Sequence, residues 1–266
     1  MIKSIGILGF GNMGEAIAKG VLKAHPACLI FAYDKSKEKM KNVFSSKIKK
    51  TLSCKELFTS ADTIIFAVKP QDINKLIEEI TAFSSGKNII SIIAGKSTSF
   101  FAKKIKTNNI CRFMPNIAAQ RGCSSTAISF YEKADKEFKE SAILIAESIG
   151  SAFIIPENQM AAFTALSGSG IAFVFQFINA LAMGGEKSGI PFDDSIKISA
   201  SVFKGAYETL INSGKTPMDL VASVSSPSGT TVAGLSVLKE KGFDTTVTDA
   251  VFASFNRAVE IEKLSE

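Results

Sequence analysis

The chain has one histidine, four cysteines, no tryptophan and, among 31 basic residues, three arginines: Arg112, Arg121 and Arg257. Each scarcity excludes something. Cys28, Cys54, Cys111 and Cys123 form no CxxC pair, and His25 stands alone beside Pro26, so there is no ligand set for zinc and no metal is expected. His25 reads as a loop residue, which leaves no histidine base for catalysis. Unpaired thiols suit a reducing compartment and predict a cytoplasmic protein. The N-terminus MIKSIGILGFGNMGE lacks the long apolar core of a secretion signal. No uninterrupted apolar run approaches the roughly 20 residues of a membrane helix, so no membrane contact is expected.

The scarcity of arginine also bears on the charge. A net charge of +6 and a pI of about 9.0 suggest, taken alone, a polyanionic partner. Residues 1–155 hold 23 Lys and Arg against 13 Asp and Glu, whereas residues 156–266 hold 8 against 12. Nucleic-acid surfaces concentrate arginine for bidentate and stacking contacts. Here the lysines are spread, with small clusters at 35–41, 47–50 and 103–106. They read as solvated faces, and no nucleic-acid partner is expected.

What is present is a 266-residue chain, 46% hydrophobic, sufficient for one or two domains with a substantial core. In the first half, strand-like runs (5–8, 29–33, 63–68, 89–93 and 110–113) alternate with amphipathic stretches (13–23, 36–44, 72–83 and 98–106). A hydroxyl-rich strand at 124–130, a helix near 133–149 and a run at 152–155 follow. The alternation predicts a parallel sheet with helices on both faces. Past Pro156 the pattern is helical: 157–186, 192–213, 217–225, 229–241 and 244–264, punctuated by glycine and proline. The fold class is therefore α/β: a Rossmann-type dinucleotide-binding domain over 1–155, then an all-helical domain over 156–266.

Gly9-Phe10-Gly11-Asn12-Met13-Gly14 is a GxGxxG that follows a strand directly and opens a helix, the context that gives the motif meaning. Gly9 permits the tight turn, Gly11 lets backbone approach a pyrophosphate, and Gly14 lets helix and strand pack. The helix N-terminus supplies N–H groups for the phosphates. Asp34 lies at the ribose-binding spacing and favours NAD, while Lys35, Ser36 and Lys37 suit a 2′-phosphate, so NAD and NADP both remain open. Ala67-Val68-Lys69-Pro70-Gln71, Ser91–Gly95 and Arg112–Asn116 end strands at the carboxyl edge, where open α/β sheets bind ligands. In the helical half, Ser225–Thr231 is the one dense polar motif. Ser226 can cap a helix with Pro227 at its first position, and a hydroxyl-lined helix N-terminus suits a small carboxylate.

On these residues the chain resembles the pyrroline-5-carboxylate reductase family, over essentially its full length. The resemblance rests on Gly9–Gly14, Ala67–Gln71, Ser91–Gly95, Met114-Pro115-Asn116, Thr164–Gly170 and Val224–Leu235. It implies NADPH-dependent reduction of a cyclic imine to L-proline, with NADH possible, in a homodimer or larger homo-oligomer joined through the helical domain. It implies a cofactor held by Leu8, Gly9, Phe10, Gly11, Asn12, Met13, Gly14, Asp34, Lys35, Cys54, Ala67, Val68, Lys69, Pro70 and Ala94. It further implies a small-molecule substrate held by Ser226, Ser228, Gly229, Thr230 and Thr231 of the partner subunit, with Thr231 as the catalytic hydroxyl at the ring nitrogen. The chain departs from the usual family pattern at Cys54, Ile171, Asn179 and Ser228. A reductase of another small cyclic imino acid and a non-catalytic dinucleotide sensor are the alternative readings.

Overall fold

The computed structural model describes residues 2–41, 43 and 45–265. The chain forms two compact units, residues 1–168 with 255–266, and residues 169–254. Composition places the change of character at Pro156, but the unit boundary falls later, inside a helix. The reason is packing: Met160, Ala161 and Ala165, early in that helix, are buried within the first unit.

The first unit is built on eight strands: β1 (Ser4–Leu8), β2 (Leu29–Tyr33), β3 (Ile48–Lys50), β4 (Thr63–Phe66), β5 (Asn88–Ser91), β6 (Ile110–Met114), β7 (Ser124–Phe130) and β8 (Gly150–Ile154). Their order is β3-β2-β1-β4-β5-β6-β7-β8. Between them run α1 (Asn12–Ala24), α2 (Lys37–Lys41), α3 (Cys54–Ser60), α4 (Ile73–Ile80), α5 (Thr98–Lys104) and α6 (Lys136–Glu147). The helix expected over 36–44 is described to Lys41; Asn42 and Phe44 lie outside the described residues.

Strands β1 to β6 are parallel, as the alternation predicts, but β7 runs antiparallel to β6 and parallel to β8. The parallel sheet expected from the alternation thus holds for β1 to β6, and β7 is where the direction changes. The link from β6 to β7 spans only Pro115 to Cys123, too short for the crossover of a dozen or so residues that a parallel pair requires. Two elements escape the sequence pattern, β3 and α3. The first is a three-residue edge strand carrying exposed Lys49 and Lys50, charges that blunt the edge. The second is a seven-residue helix that buries Cys54, Leu57 and Phe58 under a Ser53 cap.

The near-continuous apolar strands follow from burial on both faces. Ile5, Ile7, Ile65, Ile90 and Phe113 face one way, against Ile17 and Val21 of α1 and Phe138 and Ile145 of α6. Leu8, Ile64, Phe66 and Ile89, shifted by one residue, face the other, against Phe58, Leu76 and Phe101. The period of two along a strand divides each run between two cores. At β1 the strand order reverses, and this switch point opens a crevice at the carboxyl ends of β1 and β4.

A continuous helical stretch, Glu157–Lys187, leads out of the first unit. It comprises α7 (Met160–Phe163), a π-helical turn (Thr164–Ser169) and α8 (Gly170–Lys187). The second unit adds α9 (Phe192–Ser213), α10 (Pro217–Ser223), α11 (Thr230–Glu240) and most of α12 (Phe243–Ser265). By length and composition Glu157–Lys187 is apolar enough to cross a membrane, with a mean hydropathy of 1.6 over its most apolar window. That differs from the expectation drawn from uninterrupted runs: Ser, Gly and Thr break the run yet lower the average little. Only 11% of that window is buried. Among the described residues of the second unit, only Ala182, Ser195 and Ser199 are buried, while Phe175, Met183, Val202, Tyr207, Ile211 and Phe252 are exposed. A helical body that leaves its apolar faces uncovered is a body built for a partner surface.

Candidate functional site

The glycine loop connects β1 to α1. Gly9 has φ of +99°, and a Cβ there would stand 2.5 Å from the Ala67 carbonyl oxygen. At Gly14 a Cβ would meet the Gly9 carbonyl oxygen at 2.3 Å, so helix and loop come this close only because Gly14 lacks a side chain. Gly11 differs. Its nearest neighbour across the opening would be Lys39 Nζ, at 4.0 Å, which leaves backbone bordering open space. Gly11 is also the N-cap residue of α1, and its side-chain-free end leaves the first-turn amides of Asn12, Met13 and Gly14 to a ligand.

Beside this loop lies a cleft of ≈ 360 Å³. Of the residues expected at the cofactor, it brings together Leu8, Gly9, Gly11, Asp34, Lys35, Cys54, Ala67, Val68 and Lys69. Phe10, Asn12, Met13, Gly14, Pro70 and Ala94 do not line it. Phe10 is buried and joins the cleft through its backbone, whose N–H donates to Asp34 Oδ2 at 2.8 Å. Pro70 begins the turn after β4, and Lys69 before it is extended (φ −69°, ψ 146°), as a residue preceding proline must be. Ala94 is exposed just beyond the carboxyl end of β5. Four further residues line the cleft that the sequence does not single out: Tyr33, Lys39, Asp72 and Leu76. Only Lys39 had a visible signal, as one of the basic cluster at 35–41.

Burial pushes the Cys54 thiol up to about 12, with the nearby Glu79 carboxylate adding to the shift. The group is therefore a neutral thiol near pH 7, a wall of the cleft rather than a nucleophile. The motifs Met114–Asn116 and Thr164–Gly170 meet directly. Asn116 Nδ2 donates to Ser167 Oγ at 3.1 Å, and the Asn116 backbone N–H donates to Ser124 Oγ at 3.0 Å. Ser167 lies in the π turn and donates in turn to the Ser125 carbonyl at 3.2 Å. Such a turn is a departure from α geometry that recurs at functional sites.

In the second unit, Ser226, Pro227, Ser228 and Gly229 form a tight turn closed by the Gly229 N–H donating to the Ser226 carbonyl at 3.0 Å. The cap that Ser226 could have offered is thus not used, and Pro227 lies outside the helix, whose start agrees with the one expected at 229. Helix α11 begins at Thr230, and Gly229 is its N-cap residue without a side-chain cap. Proline at the second turn position and positive φ at the third mark a type II turn, and glycine is the residue that fits the third. Ser228 stands there with φ of +59°, the one non-glycine residue with positive φ among the described residues. Gly229 has no such latitude, since a Cβ would meet Ser226 Oγ at 2.6 Å. Thr230 and Thr231 open α11 and are exposed. The result is a helix start of free amides and hydroxyls, suited to a small carboxylate.

Residues 157–261 match the family model for pyrroline-5-carboxylate reductase dimerisation. Residues 4–95 match that for NADP oxidoreductases, coenzyme F420-dependent. The pyrroline-5-carboxylate reductase of Aquifex aeolicus is 34% identical, with 96% of each chain covered. Pyrroline-5-carboxylate reductase 2 of Bacillus subtilis is 30% identical over 98% of this chain and 96% of its own. Among solved structures, the Plasmodium falciparum pyrroline carboxylate reductase with NADP bound matches with a TM-score of 0.86 at 29% identity, covering 98% of both chains. The Coxiella burnetii pyrroline-5-carboxylate reductase matches with a TM-score of 0.92 at 26% identity, over 98% of this chain and 99% of the other.

Proposed function

The chain belongs to the pyrroline-5-carboxylate reductase family, and on that premise we propose that it reduces the cyclic imine of 1-pyrroline-5-carboxylate to L-proline with NADPH. The observation that carries this reading is the likeness to named reductases along 96% of the chain, with the glycine loop and the Ser226–Thr231 turn inside the matched residues 4–95 and 157–261. The first unit suits the cofactor: the open backbone at Gly11 and the α1 amides have room and donors for a pyrophosphate. NADPH, when bound, supplies the hydride. The residues assigned to hold it are Leu8–Gly14, Asp34, Lys35, Cys54, Ala67–Pro70 and Ala94.

The second unit takes the imino acid. Backbone N–H groups near Ser228–Thr230, apart from that of Gly229 which closes the turn on the Ser226 carbonyl, hold its carboxylate, and the Thr231 hydroxyl bonds the ring nitrogen. An imine that arrives protonated on nitrogen needs only hydride at carbon to become the secondary amine. A neutral imine must also gain a proton at the nitrogen that Thr231 holds, and general-acid help there is within reach of a hydroxyl backed by water. Most of the rate comes from placing two reactants in one geometry. The protein acts as a homodimer through its helical unit, whose exposed apolar faces lie within residues 157–261 of the dimerisation match. Four unpaired cysteines support a cytoplasmic location.

The test is steady-state reduction of 1-pyrroline-5-carboxylate by the wild type and by Thr231→Ala. The variant should lose about 100-fold in kcat, the range of a general-acid or orienting contact, while its NADPH affinity is retained. Equal turnover in the two proteins removes Thr231 from the reaction. Faster reduction of the six-membered cyclic imino acid by the wild type moves the substrate assignment.

A further inference from the structure

An acidic residue at the end of β2 is ordinarily the acceptor for the adenosine ribose hydroxyls, which makes it a mark of NAD and an obstacle to a 2′-phosphate. The surroundings of Asp34 are not arranged that way. Its Oδ2 accepts the Phe10 N–H at 2.8 Å and faces Lys39 Nζ at 3.3 Å, and its Oδ1 accepts the Ser36 N–H at 2.8 Å. Its side chain is only 9% exposed, whereas that of Lys39 is 48% exposed. The carboxylate is thus turned toward its own loop, with two backbone donors and one cation on it. Of the pair, the lysine side chain is the part left facing solvent.

Lys39 is also placed across the opening. It lines the same cleft as Lys35, Tyr33 and Gly11, and its Nζ is the nearest group to the open side of Gly11. Two lysines, one from the turn after β2 and one from α2, therefore border the end of the cleft where β2 stops. An ammonium pair on that rim offers charge-assisted contacts to a phosphate monoester and little to a neutral diol.

We propose that Lys39 is the residue that selects a cofactor bearing a 2′-phosphate, and that Asp34 is a positioning residue that clamps the glycine loop and aims Lys39. The acidic residue at the end of β2 is then compatible with NADPH because its charge is met within the protein. This deepens the function proposed above and rests on it only for the identity of the cofactor.

The experiment is calorimetric titration of the full chain with 2′,5′-ADP and with 5′-AMP, which needs neither imine nor turnover. Lys39→Met keeps the length of an exposed side chain and removes its charge. It should weaken 2′,5′-ADP by about tenfold or more while 5′-AMP changes by less than about twofold. Asp34→Asn keeps an acceptor for the Phe10 N–H but gives up the ion pair that aims Lys39, and should weaken 2′,5′-ADP by more than it weakens 5′-AMP. Equal effects of Lys39→Met on both nucleotides, or none on either, overturn the role of Lys39. A selective tenfold or greater loss of 5′-AMP in Asp34→Asn, with circular dichroism unchanged, makes Asp34 the ribose acceptor and overturns the clamp. Failure of the imine-reductase reading would leave these binding ratios intact, so the two ideas fail separately.

Discussion

Replacing Arg112 should unsettle the first unit more than replacing either of its partners. Arg112 lies on β6 and is 3% exposed. Its Nη2 meets Glu262 Oε1 at 2.8 Å, near the end of α12, and its Nη1 stands 3.8 Å from Glu157 Oε1. Glu157 in turn accepts the N–H of Thr98, at 2.8 Å, and the Thr98 hydroxyl. At an effective dielectric of about 20, the two ion pairs are worth gross attractions of about 6 and about 4 kcal/mol. Burying the guanidinium costs several kcal/mol, and its Nε has no partner among the described residues, so the net contribution is far smaller than the gross. The two glutamates are 30% and 28% exposed at the side chain, so water recovers part of their charge when the arginine is gone.

The balance predicts a loss of about 2–4 kcal/mol for Arg112→Met, which leaves two mostly buried carboxylates without their cation. Glu262→Gln keeps an oxygen to accept from Nη2 and should lose only about 1 kcal/mol. Equilibrium urea unfolding followed by circular dichroism measures both, and for a chain of this size the larger loss lowers Tm by about 4–7 °C. The reasoning is refuted if Arg112→Met and Glu262→Gln lose the same amount, or if Arg112→Met loses less than about 0.5 kcal/mol.

Two other expectations are independent of that network. Ser228→Gly should stabilise the helical unit by about 0.5–1 kcal/mol, because the left-handed backbone at Ser228 costs a side-chain-bearing residue more than the extra freedom of unfolded glycine gives back. A lower urea midpoint for the variant contradicts the turn geometry. A thiol reagent at pH 8 should modify one cysteine per chain quickly, the exposed Cys123. Burial holds Cys28 up at about 11 and Cys54 up at about 12, so both stay protonated and shielded; a fast phase that survives Cys123→Ser would show otherwise.

Much of this molecule is legible in its residues because the signals are local. A glycine loop between an apolar strand and an amphipathic helix is a short-range pattern, and so are the five parallel strands that follow the expected runs. The succession of helices after Pro156 is equally local. The elements that escape the pattern are short or conditional. Strand β3 consists of one buried isoleucine and two lysines, and exists because β2 offers it an edge to pair with. The direction of β7 is decided by the length of the chain before it, not by its own hydroxyl-rich composition. At Ser226 two local rules compete: a capping serine before proline is a sound helix start, yet the turn through Ser228 takes those residues and hands the cap to Gly229.

The sequence by itself determined the two-part organisation, the glycine loop and the place of the Ser226–Thr231 motif, since each depends on neighbours a few positions apart. Only the tertiary structure decided which groups those residues face. Asp34 and Lys39 belong to one basic stretch in the sequence, and nothing in their spacing says that the carboxylate turns inward to Phe10 while the ammonium stays at the mouth of the cleft. Arg112 and Glu262 are 150 positions apart, and their pairing follows from the last turns of α12 belonging to the first unit. Charge and hydropathy are properties a residue carries with it. Which group a charge faces is set by the path of the chain, and that path is fixed by the burial of residues far from the site.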